Sequence, residues 1–153
     1  MIDARRDPVT LPGRPCAVAA ALELVGDRWA LLAVREIGFG NHRFNQIVRN
    51  TGAPRDRLAA RLKALVEAGV LVRDDGYHLT QAGRELGPVI WTLLNWGNKW
   101  AVTQPTARLR HHHDHELRPQ AMCAECGEVV GPGEVTPVTT AAGWDLAGPK
   151  ETD

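Results

Sequence analysis

The apolar positions of the chain fall into a series of short helical stripes, one hairpin and one long apolar helix. The clearest stripe lies in Pro54–Ala68, PRDRLAARLKALVEA, where Leu58, Leu62, Leu65 and Val66 recur at helical spacing. That spacing predicts one helix with a single buried face. Upstream, CAVAAALELVG predicts a short, very apolar helix that begins behind Pro15 and stops at Gly26. Asp27 is placed to cap the next helix, Arg28–Gly38, in which Trp29, Leu32 and Ile37 are expected in the core. After a turn at Gly38–Asn41, Arg43–Asn50 carries Phe44, Ile47 and Val48 at i, i+3 and i+4, the pattern of a third helix. Thr51-Gly52 ends it, and Pro54 opens the fourth.

Beyond Gly69 the period changes. Val70–Val72 and Tyr77–Leu79 are apolar runs joined through Asp75-Gly76, a hairpin signal. Thr80 can cap a further helix, which Gly87-Pro88 kinks or starts. Its Leu86, Val89, Ile90, Leu93, Leu94, Trp96 and Trp100 put apolar surface on more than one side. The first helix has the same excess, and together the two predict a homodimer. Two short helices around a tight glycine-containing turn, the second of them basic, followed by a hairpin, form a winged helix-turn-helix pattern. The expected fold is mainly α with a small β-hairpin wing and helical dimerisation elements from both ends of the domain.

Composition refines this reading. The 153 residues, 44% hydrophobic and 24% charged, leave room for one domain and an appendage. No apolar run is long enough to span a bilayer. The opening MIDARRDPVTLPGRP has no apolar core after its charges and is not a secretory signal. Residues 1–15 are expected to be a mobile arm, 16–104 the DNA-binding and dimerisation domain, and 105–153 a tail carrying HHHDH, CAEC and five of the ten prolines. Three cysteines, two of them in CxxC, do not make a disulfide framework, which fits a reducing cytoplasm. The zero net charge hides a split. Residues 1–104 carry 14 Lys/Arg against 10 Asp/Glu, and residues 105–153 carry 4 against 8. Within Arg28–Lys63 the balance is 8 basic to 2 acidic, which marks where an anionic partner would bind.

Several motifs carry a resemblance. Cys16 before the first helix, Gly26-Asp27-Arg28-Trp29, Gly40 with Arg43-Phe44, Leu58, Arg61-Leu62, Ala68-Gly69, Leu79-Thr80 with Gly83, and Trp96-Gly97 stand in order across about residues 15–100. In that order and spacing the chain resembles the HxlR-type winged helix-turn-helix transcriptional regulators. The resemblance implies a dimeric DNA-binding regulator on a MarR-like scaffold that binds pseudo-palindromic operators. The chain departs from the family twice. Only Asp74-Asp75-Gly76 separates the strands of the wing, where members usually carry a longer Pro- and Tyr-rich wing, and most short members lack the tail. An acidic wing tip is repelled by phosphate, which shifts recognition onto the fourth helix.

Phosphate contacts position such a protein and base contacts specify its site. Arg55 and Arg57, early in the fourth helix, are the candidates for base edges, with guanine the partner of a guanidinium fork. Arg61 and Lys63 follow them, and in the resembling family the position of Arg61 often serves packing or backbone contact. Arg43 and Arg49 are candidate phosphate contacts, Asn45 and Gln46 further candidates, and Arg73 at the base of the wing a backbone contact. Each of these could instead belong to a solvated face.

Two sites outside the helix-turn-helix carry chemistry. Cys16 follows Arg14-Pro15 at a helix start, where the dipole and a cation lower a thiol pKa. In some members of the resembling family a cysteine here senses oxidants or electrophiles. The other reading is a small residue buried at the dimer interface. In the tail, Cys123 and Cys126 form a zinc-knuckle half site, and His111, His112, His113 and His115 are the nearby supply of further ligands. Similar tails in related regulators show Cys-Gly-His in register with His113-Asp114-His115. The expected site is Zn²⁺ on His113, His115, Cys123 and Cys126, against a degenerate site or a metal-free His-rich tail. His78 is expected to be a strand residue only.

An enzyme is not expected, since no phosphate loop, G-x-S-x-G or H-E-x-x-H is present. Glu23, Asp27 and Glu36 read as structural acids. An alternative stays open: a ligand- or metal-responsive interaction module with weakened DNA binding. In it Trp29, Trp91, Trp96 and Trp100 line a small-molecule pocket rather than a core.

Overall fold

The computed structural model describes residues 5–151, which fall into two compact units divided between Ile90 and Trp91. The tail boundary expected at residue 104 lies inside the second unit. Of the expected N-terminal arm, residues 1–4 lie outside the described residues. Pro8–Thr10 form a 3-10 turn, capped by the Asp7 carboxylate, which accepts from Val9 N–H at 3.0 Å.

In the first unit, helix α1 spans Ala17–Val25. Asp27 then starts α2, Arg28–Gly38, by accepting the N–H groups of Trp29 (2.9 Å) and Ala30 (3.3 Å). These are donors that every helix start leaves open. The buried stripe of α2 is Ala30, Ala33, Val34 and Ile37, spaced i, i+3, i+4 and i+7. Leu32, expected in the core, is only partly buried because it falls on the opposite side of the turn from Ala30. Trp29 packs at the edge of the core. Two small alanines share the inner face with Val34 and Ile37.

Helix α3, Phe44–Thr51, ends at Gly52 in the left-handed conformation (φ 70°). Two residues later α4 begins and runs Arg55–Glu67, with Pro54 at its N-cap position and Ala68 at its C-cap. Thr51 tightens the link: its hydroxyl donates to the Ile47 carbonyl (2.7 Å) and accepts from Ala53 N–H (3.2 Å). Leu58, Leu62 and Leu65 are fully buried against Ile47 and the α2 stripe.

Strands β1, Leu71–Asp74, and β2, Gly76–Leu79, pair antiparallel from Leu71↔Leu79 to Asp74↔Gly76. Asp75 alone forms the tip. Thr80 closes the wing: its hydroxyl donates to the Gly69 carbonyl (2.7 Å) and caps α5, Gln81–Arg84, by accepting from Gly83 N–H (3.2 Å). A Cβ on Gly83 would overlap the Val70 carbonyl, so glycine is required where α5 crosses the base of the wing. The helix expected after Thr80 is two helices, because α6 starts afresh at Gly87 and runs to Trp100.

The second unit has a different texture. Beyond α6, β3 (Arg110–His111) pairs antiparallel with β4 (His115–Glu116), and single bridges join Met122 to Val129 and Trp144 to Pro149. From Trp91 onward none of the described residues is buried. Trp91, Trp96 and Trp100, expected as core, are 40%, 58% and 66% exposed in the single chain, because nothing covers those faces of α6. Trp91 lines a cleft of only about 10 Å³, too small to hold a ligand. Among the described residues no helix is long and apolar enough to cross a membrane.

Candidate nucleic-acid interface

The three buried leucines hold α4 against the core and leave Arg55, Arg57, Arg61 and Lys63 exposed on its outer side. The four cations are not equivalent. Arg55 donates to the Asn45 amide oxygen (3.1 Å), and its guanidinium carbon stands 5.0 Å from the centre of the Phe44 ring. Helix α3 therefore orients it, and Asn45 serves that orientation. Arg57 makes no hydrogen bond or ion pair among the described residues. It lines a surface notch of about 170 Å³ with Asp27, Trp29, Ala60 and Arg61. Arg61 lies 3.6 Å from the Asp27 carboxylate that caps α2, and Lys63 lies 3.7 Å from Glu67 one turn on. Part of the charge of both is already answered inside the chain.

Around this helix, Gln46 folds back on the start of α3. Its side-chain oxygen accepts from Arg43 N–H (3.2 Å) and closes the start of α3. Arg49 is exposed, with Nε 3.3 Å from Asn50 Oδ1. Arg73 lays its guanidinium 5.6 Å from the Tyr77 ring centre. Arg43 reaches the wing tip, where it donates to both oxygens of Asp75 at 2.7 and 2.9 Å. The hydrogen bond and the charge of Arg43 hold the Asp75 carboxyl below the usual carboxylate range.

Sequence reasoning read Glu36 as a structural acid but not its partners, and it missed His42. Glu36 is buried and accepts from Arg35 Nη2 (2.8 Å), Asn41 Nδ2 (2.8 Å) and Asn50 Nδ2 (2.9 Å), tying α2 to both ends of the α3 segment. His42 docks the wing. Its carbonyl accepts Tyr77 N–H at 2.9 Å, and its Nδ1 lies 2.9 Å from the Tyr77 carbonyl. Because a carbonyl only accepts, Nδ1 carries the proton. The His42 ring stacks at 4.4 Å on His78, which lies in β2 as expected. Neither role has a periodic signature, and each partner comes from another element.

Cys16 is half-buried at the N-cap position of α1. The backbone N–H groups of Ala19 and then Val18 lower its thiol pKa, and Arg14 adds a smaller effect. In the second unit, Cys123 is lowered in the same way by the N–H groups of Cys126 and Glu125 and by the Cys126 thiol. His113 stands in the turn between β3 and β4, and His115 begins β4 opposite His111. Among the described residues, no three His, Cys, Asp or Glu side chains converge on one point, so the four expected metal ligands are not assembled together.

Two helices around a tight turn, the second basic and outward-facing, followed by a docked hairpin, define a winged helix-turn-helix DNA-binding domain. The HxlR-like helix-turn-helix family model matches residues 24–105, and the chain belongs to that family. It is similar to Rv3095 of Mycobacterium tuberculosis, an uncharacterised HTH-type transcriptional regulator, with 42% identity over 132 residues, 79% of this chain and 84% of that protein. It is also similar to sll1512 of Synechocystis, another uncharacterised HTH-type transcriptional regulator, with 29% identity over 109 residues, 65% of this chain and 81% of that protein. The crystal structure of PA1607, a candidate transcription factor, superposes with a TM-score of 0.70 at 30% identity over 82% of this chain and 95% of that one. The protein is a transcriptional regulator whose partner is DNA.

Proposed function

We propose that the protein binds a pseudo-palindromic double-stranded operator in the cytoplasm as a homodimer, and acts by binding rather than by catalysis. The observation that carries this reading is the outer face of α4. Arg55 is aimed by Phe44 and Asn45, and Arg57 stands beside it without a partner among the described residues. An oriented guanidinium at the start of a recognition helix suits the two acceptors on a guanine edge. Arg49, Arg61, Lys63 and Arg73 are assigned to phosphates, Arg43 to a phosphate only when it leaves Asp75, and Gln46 to the α3 cap alone.

The homodimer reading rests on uncovered apolar surface. Val18 and Leu22 on α1, and Val89, Trp91, Leu93, Trp96 and Trp100 on α6, are exposed in the single chain. A second copy supplies the same helices and hides both faces by symmetry. Sedimentation at micromolar concentration is expected to give a dimer, and a monomer would remove this part of the reading.

A second reading, an interaction module with weakened DNA binding, is favoured by one observation: the tip of the short wing is an acid that occupies Arg43. Selection of bound sequences from a random DNA pool separates the two. A regulator returns a two-fold symmetric motif whose affinity falls steeply with salt. A pool with no enriched motif favours the module.

A further inference from the structure

Asp27 makes two attachments at once. Its Oδ1 caps α2 by accepting Trp29 N–H (2.9 Å) and Ala30 N–H (3.3 Å). Its Oδ2 faces α4, 3.6 Å from Arg61 Nε. Exposed ion pairs stabilise little, in part because two flexible side chains must be held in one geometry. Here the cap has already fixed the carboxylate, so only Arg61 is left to order. Asn or Ser would cap α2 about as well. The reach to α4 uses what the carboxylate alone has, a charged second oxygen.

Which end of the arginine is held decides what it can do. Asp75 takes both terminal nitrogens of Arg43, Nη1 and Nη2, and so occupies the fork that a phosphate would need. Asp27 meets Arg61 at Nε instead. Nη1 and Nη2 of Arg61 keep their four N–H donors, and among the described residues no acceptor takes them. The surface beside them suits an anion. Asp27, Trp29, Arg57, Ala60 and Arg61 line a notch of about 170 Å³. Arg57, Ala60 and Arg61 stand at i, i+3 and i+4 on one side of α4, and Ala60, with only a methyl group, does not fill the space between the two guanidiniums. Two cations against one acid leave the notch net positive.

We infer that Asp27 is a positioning residue for DNA binding: it holds Arg61 by Nε at the rim of this notch and leaves the terminal nitrogens to one backbone phosphate of the duplex. This role rests on α4 being the recognition helix. Two acids of one DNA-binding domain then act in opposite senses. Asp75 withholds a cation from the phosphate backbone, and Asp27 supplies one already oriented.

The test is fluorescence anisotropy of the full chain with a duplex selected from a random pool, across a KCl series. It compares wild type, Asp27→Asn, Asp27→Ser, Arg61→Ala, and Asp27→Asn combined with Arg61→Ala. By charge alone, loss of an acid tightens binding to DNA. Asp27→Asn is instead expected to weaken it about twofold to fivefold, the span of an exposed ion pair. Its log–log salt slope should fall toward that of Arg61→Ala, which loses about 0.9 for one phosphate. Asp27→Ser also keeps a cap and should behave the same way. With Arg61→Ala in place, Asp27→Asn should weaken binding no further. Far-UV circular dichroism and urea unfolding check that each variant is folded under the assay conditions. The role is overturned if Asp27→Asn tightens binding or leaves it unchanged. It is also overturned if the loss is equal with and without Arg61, which would make Asp27 a cap alone, or if the Arg61→Ala slope equals that of wild type. Each of these results leaves the DNA reading standing, because wild type still binds the selected duplex. A wild type that enriches no motif overturns both together.

Discussion

Arg43, at the start of α3, holds the wing-tip carboxylate of Asp75 with both prongs of its guanidinium, at 2.7 and 2.9 Å. The two residues are 32 positions apart, and the pair lies on the surface where DNA is proposed to bind. The acid that would repel phosphate is thus masked by a cation that would attract it. Asp75→Asn is expected to release that cation and remove a negative charge. The salt dependence of DNA binding should then steepen by about 0.9 in log–log slope for one added phosphate contact. Anisotropy titrations across a salt series measure it, and an unchanged slope would show that releasing Arg43 from Asp75 adds no phosphate contact.

The same pair has a pH signature. The pKa of Asp75 is lowered in the folded chain, first by the Arg43 hydrogen bond and then by its charge. A carboxyl with a depressed folded pKa contributes stability above its unfolded pKa and loses it as pH falls through the folded one. The clamp is therefore intact at neutral pH and opens only below the ordinary aspartate range. Carboxyl NMR should show an Asp75 inflection that moves up in Arg43→Ala.

On α4, Arg57→Ala should weaken binding to a selected operator by about 1–3 kcal/mol if its fork reads one guanine. Asn45→Ala should cost part of what Arg55→Ala costs, and the double variant should cost less than the sum of the two, because Asn45 acts by orienting Arg55. Additive losses in that cycle would show that the two contact DNA independently.

Glu36 joins α2 to Asn41 and Asn50 from a buried position. Glu36→Ala leaves these donors without an acceptor and should destabilise the fold by about 1–3 kcal/mol. Urea unfolding should show a lower midpoint with an unchanged slope. Asn50→Ala, which removes one of the donors, should cost less.

At Gly76 the φ is 110°, and an added Cβ would stand 2.8 Å from the His42 carbonyl oxygen. Gly76→Ala should cost on the order of 1–3 kcal/mol through that strained backbone. Hydrogen exchange should quicken most at Tyr77 N–H, which bonds to His42.

Cys16 is expected to alkylate with a pH midpoint below that of an ordinary thiol, because the N–H groups of Ala19 and Val18 favour its thiolate. Operator binding by wild type and Cys16→Ser, with and without diamide, tests whether this reactivity is used as a switch. Equal responses would leave Cys16 a packing residue.

Much of the architecture can be read from the sequence alone, because its causes are local. Leu58, Leu62 and Leu65 define a buried helix face by spacing, Asp27 caps α2 and Thr80 caps α5, and Asp75-Gly76 turns a hairpin. Tertiary structure decided the rest. Of the large side chains expected inside α2, Ile37 is buried and Trp29 packs at the core edge, but Leu32 stays at the margin because tight helix packing favours Ala30 and Ala33 at the crossing. The basic segment was visible as a count of charges, but not which charges remain available. Asp75 occupies Arg43, Asp27 engages Arg61, Asn45 aims Arg55, and Arg57 has no partner among the described residues. Ion pairs and hydrogen bonds form only within a few ångströms, and the fold alone brings residues so far apart in the chain to that distance.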